Sequence, residues 1–387
     1  MTNKPEIESP RAEIDRIDRE MLRLLNERAR IALTVGAKKT SIETSLCDPV
    51  REREVLEQIC QDNPGPLDDT SIKNIFQRVI DESLHLQQKT YQKPSQHTEA
   101  RNLPAGQLTD SSRIAFLGER GSFSEEAALK IVHDKNRAVS SPTFEELFGA
   151  IAVGKADLIL APVENSLIGS VRRCVGLLLS SSLYIIAEVV LPVSHYLIAA
   201  PGASFETIRT IESHPAALEQ CERFFREHPD LKRIAGHDTA SSVRRVVESG
   251  DPTRAAIGSR RTAEIYGGRI LREHVEDHAE NYTRFVLLAR DPAAEGNGNK
   301  VSLVLRLINR PGSLHGALRP FVRRGIDLVK IESLPIRDAP GEFYFYLEFR
   351  APENAGEIRG SLDEIRELTE EIRYLGRYST IKLDDEN

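Results

Sequence analysis

Apolar side chains in the N-terminal quarter of the chain recur at the three- and four-residue spacing of amphipathic helices. Between residues 14 and 35 they are Ile14, Ile17, Met21, Leu24, Leu25, Ala32 and Val35. Two further helical patterns cover residues 49–60 and 71–88, and the helix-breaking sequence Asp-Asn-Pro-Gly-Pro at 62–66 separates them. The pattern predicts a short all-α unit over residues 1–92.

The middle of the chain has a different pattern. Residues 93–112 are polar, contain two prolines and show no periodicity, which predicts a linker. From 113 to 290, β-rich runs such as 113–117 and 157–161 alternate with helical patterns such as 144–153. This alternation predicts an α/β domain with substantial parallel strand pairing.

The C-terminal region follows a flexible joint at residues 295–300, which are rich in glycine and asparagine. Its predicted elements are a strand, a helix, two strands, a helix and a strand, over 301–308, 314–324, 327–334, 343–349, 355–368 and 372–378. This is the β-α-β-β-α-β order of a ferredoxin-like α+β domain. The chain is therefore predicted to be multidomain, with its third domain over residues 299–380.

The composition is that of a soluble globular protein, since 40% of the 387 residues are hydrophobic and 29% are charged. The net charge of -7, with basic and acidic residues interspersed, argues against a nucleic-acid partner. Four cysteines without a C-x-x-C pair predict neither a zinc site nor a disulfide framework: Cys47, Cys60, Cys174 and Cys221.

The chain also lacks the patterns of membrane and secreted proteins. Its most apolar segment, residues 177–200, is interrupted by Glu188, Pro192 and His195, which predicts a buried helix end and strand rather than a membrane span. The first twenty residues are rich in charge and argue against a secretory signal. We therefore expect a cytoplasmic protein with no membrane partner.

Charged residues on the first helix have a spacing that indicates a shared site. Taken singly, each would be a solvated surface group. Arg28 and Lys39, however, are eleven residues apart, which places them within roughly 20° of one helix face. Arg11 lies seventeen residues before Arg28 and points about 100° away. Arg11 therefore could not easily serve the same pocket within one monomer.

The second and third predicted helices carry polar groups at helical spacing as well: Asp48, Arg51 and Glu52 on one, Ser83 and Gln87 on the other. Such groups could converge between packed helices. Arginines in that setting suit a small dicarboxylate, because the guanidinium fork pairs with a carboxylate through two hydrogen bonds.

The motifs that carry these residues resemble the all-α chorismate mutase family. They are Arg11-Ala-Glu-Ile-Asp-Arg-Ile-Asp, Leu24-Leu-Asn-Glu-Arg28, Lys39, Asp48-Pro-Val-Arg51-Glu52 and Ser83-x-x-x-Gln87. The resemblance implies that Arg11, Arg28 and Arg51 hold the two carboxylates of chorismate. It also implies that Lys39 and Gln87 bind the ether oxygen, and that Asp48, Glu52 and Ser83 place the ring hydroxyl and its neighbours.

This chemistry needs no metal and no cofactor. A Claisen rearrangement is unimolecular, so conformational restraint and stabilisation of charge at the ether oxygen are sufficient. The family forms intertwined dimers in which Arg11 crosses into the partner's site. The resemblance therefore implies a homodimer or a higher homo-oligomer.

A second set of motifs lies in the predicted α/β domain. The segment 118–124, Gly-Glu-Arg-Gly-Ser-Phe-Ser, follows a strand and opens a helix; it could present backbone N–H groups to an anion or act only as a helix-capping turn. Together with the segments 162–170, 213–220, 238–239 and 281–285 it resembles prephenate dehydratase. That family has two α/β subdomains with a substrate cleft between them, similar to periplasmic binding proteins.

The resemblance assigns a role to several residues. Thr283 of the Thr-Arg-Phe motif would donate a hydrogen bond to the hydroxyl that leaves as water, or relay a proton to it, rather than act as a full general acid. Arg284 would add positive charge, although an ion pair at a strand end is an equal alternative. The remaining family positions line the cleft: Glu164, Asn165, Ser213, Gln220 and Thr239. The elimination removes no proton from carbon, so His214 is interpreted as structural.

The third predicted domain resembles an ACT domain of the phenylalanine-sensing type, through the segments 310–314, 316–318 and 332–335. By that resemblance an amino-acid effector site between paired domains is lined by Gly316, Ala317, Leu318, Glu332 and Ser333. The family usually carries arginine where this chain has Leu334. A purely structural role in dimerisation is the alternative.

Taken together, the resemblances imply a bifunctional enzyme of L-phenylalanine biosynthesis. Chorismate and prephenate would be its substrates, phenylpyruvate its product and L-phenylalanine its feedback inhibitor. Two alternatives are a dehydratase that acts on arogenate and a small-molecule sensor without catalytic activity. The complete sets of polar residues argue against the sensor.

Overall fold

A computed structural model describes residues 4–41, 46, 48–91, 108, 109, 111–132, 134–292, 298–336, 339–352 and 354–382. The predicted linker at 93–112 lies largely outside these residues, as does the first half of the predicted joint at 295–300. The chain divides into two compact units, of which the first comprises residues 1–97, 310–327 and 356–368, and the second comprises the remainder.

The N-terminal region consists of the three predicted helices, α1 (Lys4–Ser41), α2 (Pro49–Gln61) and α3 (Asp69–Tyr91). α1 extends beyond the periodic segment that predicted it, and α3 packs against both other helices. Asp48 was expected on the second helix, but it is the residue before it. Its carboxylate accepts a hydrogen bond from the Arg51 backbone N–H at 3.1 Å and so caps α2, which begins with a proline.

Residues 114–289 alternate between strands and helices, as predicted. The elements are β1 (Ile114–Leu117), α4 (Phe123–Val132), β2 (Ala138–Ser141), α5 (Phe144–Gly149), β3 (Leu158–Asn165), β4 (Gly169–Ser170), α6 (Arg172–Ser180), β5 (Tyr184–Pro192), β6 (Tyr196–Ala199), β7 (Thr210–Ser213), α7 (Pro215–Glu219), α8 (Glu222–Glu227), β8 (Lys232–Ala235), α9 (Thr239–Ser249), β9 (Arg254–Gly258), α10 (Arg260–Tyr266), β10 (Arg269–Arg272) and β11 (Tyr282–Ala289).

The C-terminal region has the predicted order of strands and helices. It contains β12 (Lys300–Leu307), α11 (Ser313–Arg323), β13 (Leu328–Pro335), β14 (Phe343–Arg350), α12 (Ala355–Ile365), β15 (Thr369–Tyr378) and β16 (Thr380–Lys382). Four of its strands form an antiparallel sheet in the order β13-β14-β12-β15. The last strand, β16, was not predicted, and it pairs with β5 in a parallel arrangement.

Two further sheets make up the rest of the second unit. One has the order β16-β5-β11-β3-β1-β2, with β4 paired to β3, and the other has the order β10-β6-β9-β7-β8. β1 pairs in parallel with β2 and β3, and β7 with β8 and β9, which confirms the predicted parallel pairing. The chain crosses between the sheets twice, from β5 to β6 and from β10 to β11, and so defines two subdomains.

The first of these sheets is buried on both faces. Alternate residues of β11 enter two separate hydrophobic clusters, with Phe285 and Leu287 in one and Val286 and Leu288 in the other. Burial on both faces explains why this strand reads as a continuous apolar run. Of the helices that the structure describes, none combines the length and the apolar content that a membrane crossing requires.

Candidate active sites

The three N-terminal helices enclose a cavity of about 410 Å³. Seven of the eight residues predicted to bind a dicarboxylate line it: Arg28, Lys39, Asp48, Arg51, Glu52, Ser83 and Gln87. The eighth, Arg11, lies on the exposed N-terminal part of α1 and is not among the described lining residues. Arg28 and Lys39, which the helical spacing placed on one face of α1, both line the cavity.

Hydrogen bonds between helices hold the polar walls of this cavity in place. Arg28 donates from Nη1 to the Ser83 hydroxyl at 2.6 Å, which joins α1 to α3. The Gln87 amide donates to the Ala32 carbonyl oxygen of α1. Burial lowers the pKa of the Arg28 guanidinium. The group nevertheless stays charged at neutral pH, because arginine titrates far above that range.

At the other end of the cavity, the Lys39 ammonium lies 3.2 Å from the Leu46 carbonyl oxygen and 3.6 Å from the Asp48 carboxylate. With these two partners among the described residues, the ammonium has a third N–H that could serve a ligand. Glu52 lines the cavity as well, and its carboxylate pairs with Arg323 of α11 within the first unit.

The second candidate site forms where β11 pairs with β3. The antiparallel register sets Thr283 opposite Asn165 and Arg284 opposite Glu164. The Asn165 amide nitrogen donates to the Thr283 hydroxyl oxygen at 3.2 Å, and Arg284 donates to Glu164. Strand pairing thus brings two pairs of predicted residues together, although the pairs are more than a hundred positions apart in the sequence.

Gln220 reaches this cluster from the other subdomain. It ends α7, and its amide nitrogen donates to Asn165 Oδ1 at 3.1 Å. Its Oε1 accepts a hydrogen bond from Asn281 at 3.1 Å and lies 2.7 Å from His195 Nε2. The sequence analysis used His195 only as an argument against a membrane span, and no local motif distinguishes it.

The other two predicted cleft residues, Ser213 at the end of β7 and Thr239 at the start of α9, lie near the end of β9. Ser213 is fully buried, and its hydroxyl donates to the Ile257 carbonyl oxygen at 2.7 Å. Thr239 begins α9, and its carbonyl oxygen would lie 3.6 Å from a Cβ added at Gly258. His214 caps α7 by accepting a hydrogen bond from the Ala216 N–H at 3.2 Å, in keeping with a structural role.

Arg284 is held by three carboxylates. Besides Glu164 it pairs with Glu188 of β5 and, at 2.9 Å, with Glu348 of β14. Burial lowers the pKa of Arg284, but Glu348 and Glu188 outweigh burial and hold it above its ordinary value. The structure therefore shows the ion-pair alternative for this arginine.

The C-terminal sheet also contacts Glu164. Lys330 of β13 donates to the Glu164 carboxylate at 3.0 Å and to the Ser170 hydroxyl at 2.8 Å. Burial raises the pKa of Glu164, yet Lys330 and Arg284 outweigh it and leave the pKa below its ordinary value. Glu164 is thus ionised at neutral pH.

The 118–124 segment acts as a capping turn. The Gly121 N–H donates to the Glu125 carboxylate at 2.7 Å, and the Ser122 hydroxyl accepts from the Glu125 N–H at 3.2 Å. Gly121 has a φ of +87°, and a Cβ there would lie 3.1 Å from Thr262 of the other subdomain. The Gly121 N–H is therefore bound to a carboxylate of α4 and is not open to an anion, which favours the capping turn over the anion site.

The residues predicted to bind an effector fall in two places. Gly316, Ala317 and Leu318 lie on α11 in the first unit, while Glu332 and Ser333 lie on β13 in the second. Glu332 accepts a hydrogen bond from the Ser170 hydroxyl at 2.6 Å. Leu334 is half-buried and packs against the hydrophobic cluster that contains Tyr346.

No group of three or more histidine, cysteine, aspartate or glutamate side chains is placed to hold a metal ion in the part of the chain that the structure describes. The polar groups of both sites are instead arginine, lysine, amide and hydroxyl donors with carboxylate partners. Such sets bind and orient anionic small molecules through charge and hydrogen bonds.

Comparison with known proteins identifies two families in the chain. The family model for chorismate mutase type II matches residues 10–88, and the model for prephenate dehydratase matches residues 114–293. A bifunctional chorismate mutase/prephenate dehydratase from Neisseria gonorrhoeae is 34% identical over 371 residues, which cover 96% of each chain. The chain combines a helical mutase region with an α/β dehydratase region. It belongs to the bifunctional chorismate mutase/prephenate dehydratase family.

Solved structures resemble the second region. A prephenate dehydratase from Arthrobacter aurescens, solved in complex with L-Phe, is 30% identical with a TM-score of 0.63, covering 70% of this chain and 90% of that one. A quorum quenching acylase is similar to the same degree, 30% identical with a TM-score of 0.63, covering 69% of this chain and 97% of that one. Because one fold is found with both activities, the residues of the site must decide between them.

Proposed function

We propose that the protein rearranges chorismate to prephenate in the helical cavity and then converts prephenate to phenylpyruvate at the site beside Thr283. The observation that carries the proposal is the gathering of seven predicted polar residues from three helices in one cavity. We assign the mutase to residues 1–92, the dehydratase to 113–290 and a regulatory domain to 299–380.

The cavity suits the first reaction because its charges match a dicarboxylate that gains charge on an ether oxygen. Arg28 and Arg51 would pair with the carboxylates, while Lys39 and the second N–H of Gln87 would donate to the ether oxygen. These donors are aimed where negative charge develops, so they stabilise the transition state more than the substrate.

A second copy of the chain would complete the cavity with Arg11. The apolar face of α1 supports a homodimer, because its large side chains stay exposed in one chain: Ile14 at 56%, Ile17 at 46%, Met21 at 50%, Leu24 at 50% and Leu25 at 41%. An exposed apolar stripe of this length indicates a surface that another protein covers. The angular offset of Arg11 from Arg28 fits delivery from the partner.

The second reaction is an elimination. The bond between the ring and its carboxylate breaks, carbon dioxide leaves, and the electron pair of that bond enters the ring. The bond between the ring and its hydroxyl breaks at the same time, as the hydroxyl oxygen takes a proton from solvent and leaves as water. Thr283 would donate a hydrogen bond to the departing oxygen. Its oxygen accepts from Asn165, so its own hydrogen remains available for the substrate.

The C-terminal region is proposed to be an ACT-type regulatory domain that binds L-phenylalanine. The strand and helix order supports this, as does the Arthrobacter relative that was solved with L-Phe. A response could reach the dehydratase through three contacts of its sheet, namely Glu332 with Ser170, Lys330 with Glu164 and Glu348 with Arg284. Coupling of this kind is reciprocal, so phenylalanine and prephenate should weaken each other's binding by the same factor.

Ser170→Ala should reduce this coupling, because the hydroxyl bonds both Glu332 and Lys330 while Glu164 keeps its own partners. Wild-type coupling is expected in the usual range of about 5- to 150-fold, and the variant should fall toward the bottom of it. The measurement is the KM for prephenate with and without phenylalanine. Ser170→Thr, which keeps the hydroxyl, is the matched control. Full coupling in the alanine variant would exclude this route.

Gly316→Val should abolish phenylalanine binding, since the predicted site requires close approach of the backbone. A Cβ at Gly316 would also lie 2.9 Å from the end of the Leu368 side chain. Leu368→Ala is therefore the control. It removes the Leu368 contact without adding a side chain at position 316, and so shows whether a disturbed Leu368 alone affects binding. Calorimetry on the dimer measures binding. Undiminished binding to the valine variant would place the effector site elsewhere.

The most direct test of the whole proposal is to supply purified protein with chorismate, prephenate or arogenate, each with and without phenylalanine. We expect chorismate to be consumed, phenylpyruvate to form from prephenate, and phenylalanine to slow the second step. Faster turnover of arogenate would change the substrate assignment. Absence of product from all three substrates would favour the alternative of a small-molecule sensor without catalytic activity.

A reducing cytoplasmic setting is proposed as well, because Cys60, Cys174 and Cys221 are free thiols.

A further inference from the structure

A continuous series of hydrogen bonds leads from a buried histidine to the proposed catalytic hydroxyl. His195 Nε2 lies 2.7 Å from Gln220 Oε1, Gln220 Nε2 lies 3.1 Å from Asn165 Oδ1, and Asn165 Nδ2 lies 3.2 Å from Thr283 Oγ1. The series crosses from one subdomain to the other. None of its members except Thr283 is required by the chemistry of the elimination.

The direction of every bond in this series is fixed by two backbone groups. Asn165 Oδ1 accepts from the N–H groups of Leu167 at 3.1 Å and Ile168 at 3.2 Å, which can only donate, so this atom is the oxygen. The Gln220 atom that faces it must therefore be nitrogen. The other end of Gln220 is then an oxygen, and His195 must carry its hydrogen on Nε2.

We propose that His195 is a positioning residue of the dehydratase, which acts through Gln220 and Asn165 to hold the Thr283 O–H toward the departing hydroxyl. This inference rests on the proposed function of Thr283. Each group in the series donates toward Thr283, and hydrogen bonds aligned head to tail polarise one another. The threonine oxygen therefore accepts from Asn165 and keeps its hydrogen for the substrate.

The surroundings of the ring favour this role over simple packing. His195 is only 2% exposed, and its Nδ1 is buried with no hydrogen-bond partner among the described residues. If the side chain served only for packing, an apolar ring would fill this space without burying an unpaired nitrogen. Burial lowers the pKa of His195, against opposing effects of Gln220 and Glu276, so the ring is neutral and has one donor. Its backbone N–H separately donates to Glu276 at 2.8 Å, which anchors the main chain whatever the side chain.

Two polar substitutions of His195 test whether the position of its hydrogen-bond donor matters or only the polarity of the side chain. The amide nitrogen of His195→Gln reaches the place of Nε2, whereas that of His195→Asn ends near Nδ1. We expect the glutamine variant to keep a dehydratase kcat close to that of the wild type. The asparagine variant should lose about tenfold in kcat, the rate equivalent of one hydrogen bond, with little change in the KM for prephenate. Mutase activity and the thermal unfolding midpoint are measured on the same samples.

A double variant makes the test stricter. If His195 acts only through Thr283, then His195→Asn combined with Thr283→Val should be no slower than Thr283→Val alone. Additive losses, or equal losses in the glutamine and asparagine variants, would overturn the inference and assign the ring to packing. A wild-type protein that forms no phenylpyruvate would instead refute the proposed function itself, which distinguishes the two failures.

Discussion

Replacing Thr283 by valine is expected to lower the dehydratase turnover number by about 10²–10³, with a much smaller change in the KM for prephenate. Valine keeps the branched shape that suits β11 and removes only the hydroxyl. That hydroxyl is the donor aimed at the oxygen that leaves the ring. An interaction made chiefly in the transition state contributes to kcat far more than to binding.

The change should not disturb the neighbouring residues. Asn165 loses one acceptor but still donates to the Asn281 side-chain oxygen at 2.9 Å and to the Tyr282 carbonyl oxygen at 3.2 Å. Thr283→Ser, which keeps the hydroxyl, is the matched control and should retain most of the activity. Turnover is followed by phenylpyruvate formation from prephenate. A valine variant with near-normal kcat would remove Thr283 from the mechanism.

The helices of the mutase region were predictable because helical periodicity is a local property. Spacing alone places Arg28 and Lys39 on one face, and it separates Arg11 from them. The position of Asp48 was less predictable. The proline that follows it begins α2, so the aspartate became the cap rather than a member of the helix.

The surroundings of Arg284 were not predictable in the same way. Glu188, Lys330 and Glu348 come from three strands, and each reaches the site through the register of a sheet or the packing of one sheet on another. A one-residue slip would move each side chain to the opposite face, and β11 is buried on both faces, so its apolar run does not show the register. The ion pairs are therefore consequences of tertiary structure, although each residue is visible in the sequence.

His195 illustrates a related limit. Its position after β5 is readable from the sequence, but its role depends on the direction of two side-chain amides. That direction is set by the backbone N–H groups of Leu167 and Ile168 in a turn of the other subdomain. Only coordinates show such a relation. The strand β16 was missed for a similar reason, since its three residues are explained by their pairing with β5.

Lys39→Ala is expected to reduce the mutase rate by at least about 10²–10³ while leaving the dehydratase rate close to that of the wild type. Lys39 lines the helical cavity, where its ammonium would donate to the ether oxygen as negative charge develops there. Its partners, the Leu46 carbonyl oxygen and the Asp48 carboxylate, both accept hydrogen bonds, so neither can replace the lost donor.

The neighbouring Lys38 provides the control for this result. It lies on the same turn of α1, but it is exposed and is not among the described residues that line the cavity. Lys38→Ala therefore removes an equal charge from the helix end without removing a donor from the site. Both activities of each variant are measured on one preparation, with circular dichroism to show that the helices persist. Equal loss of mutase and dehydratase activity in a folded Lys39→Ala protein would contradict separate sites. Equal mutase loss in the Lys38 variant would mean that the charge of the helix end, rather than the donor in the cavity, is what matters.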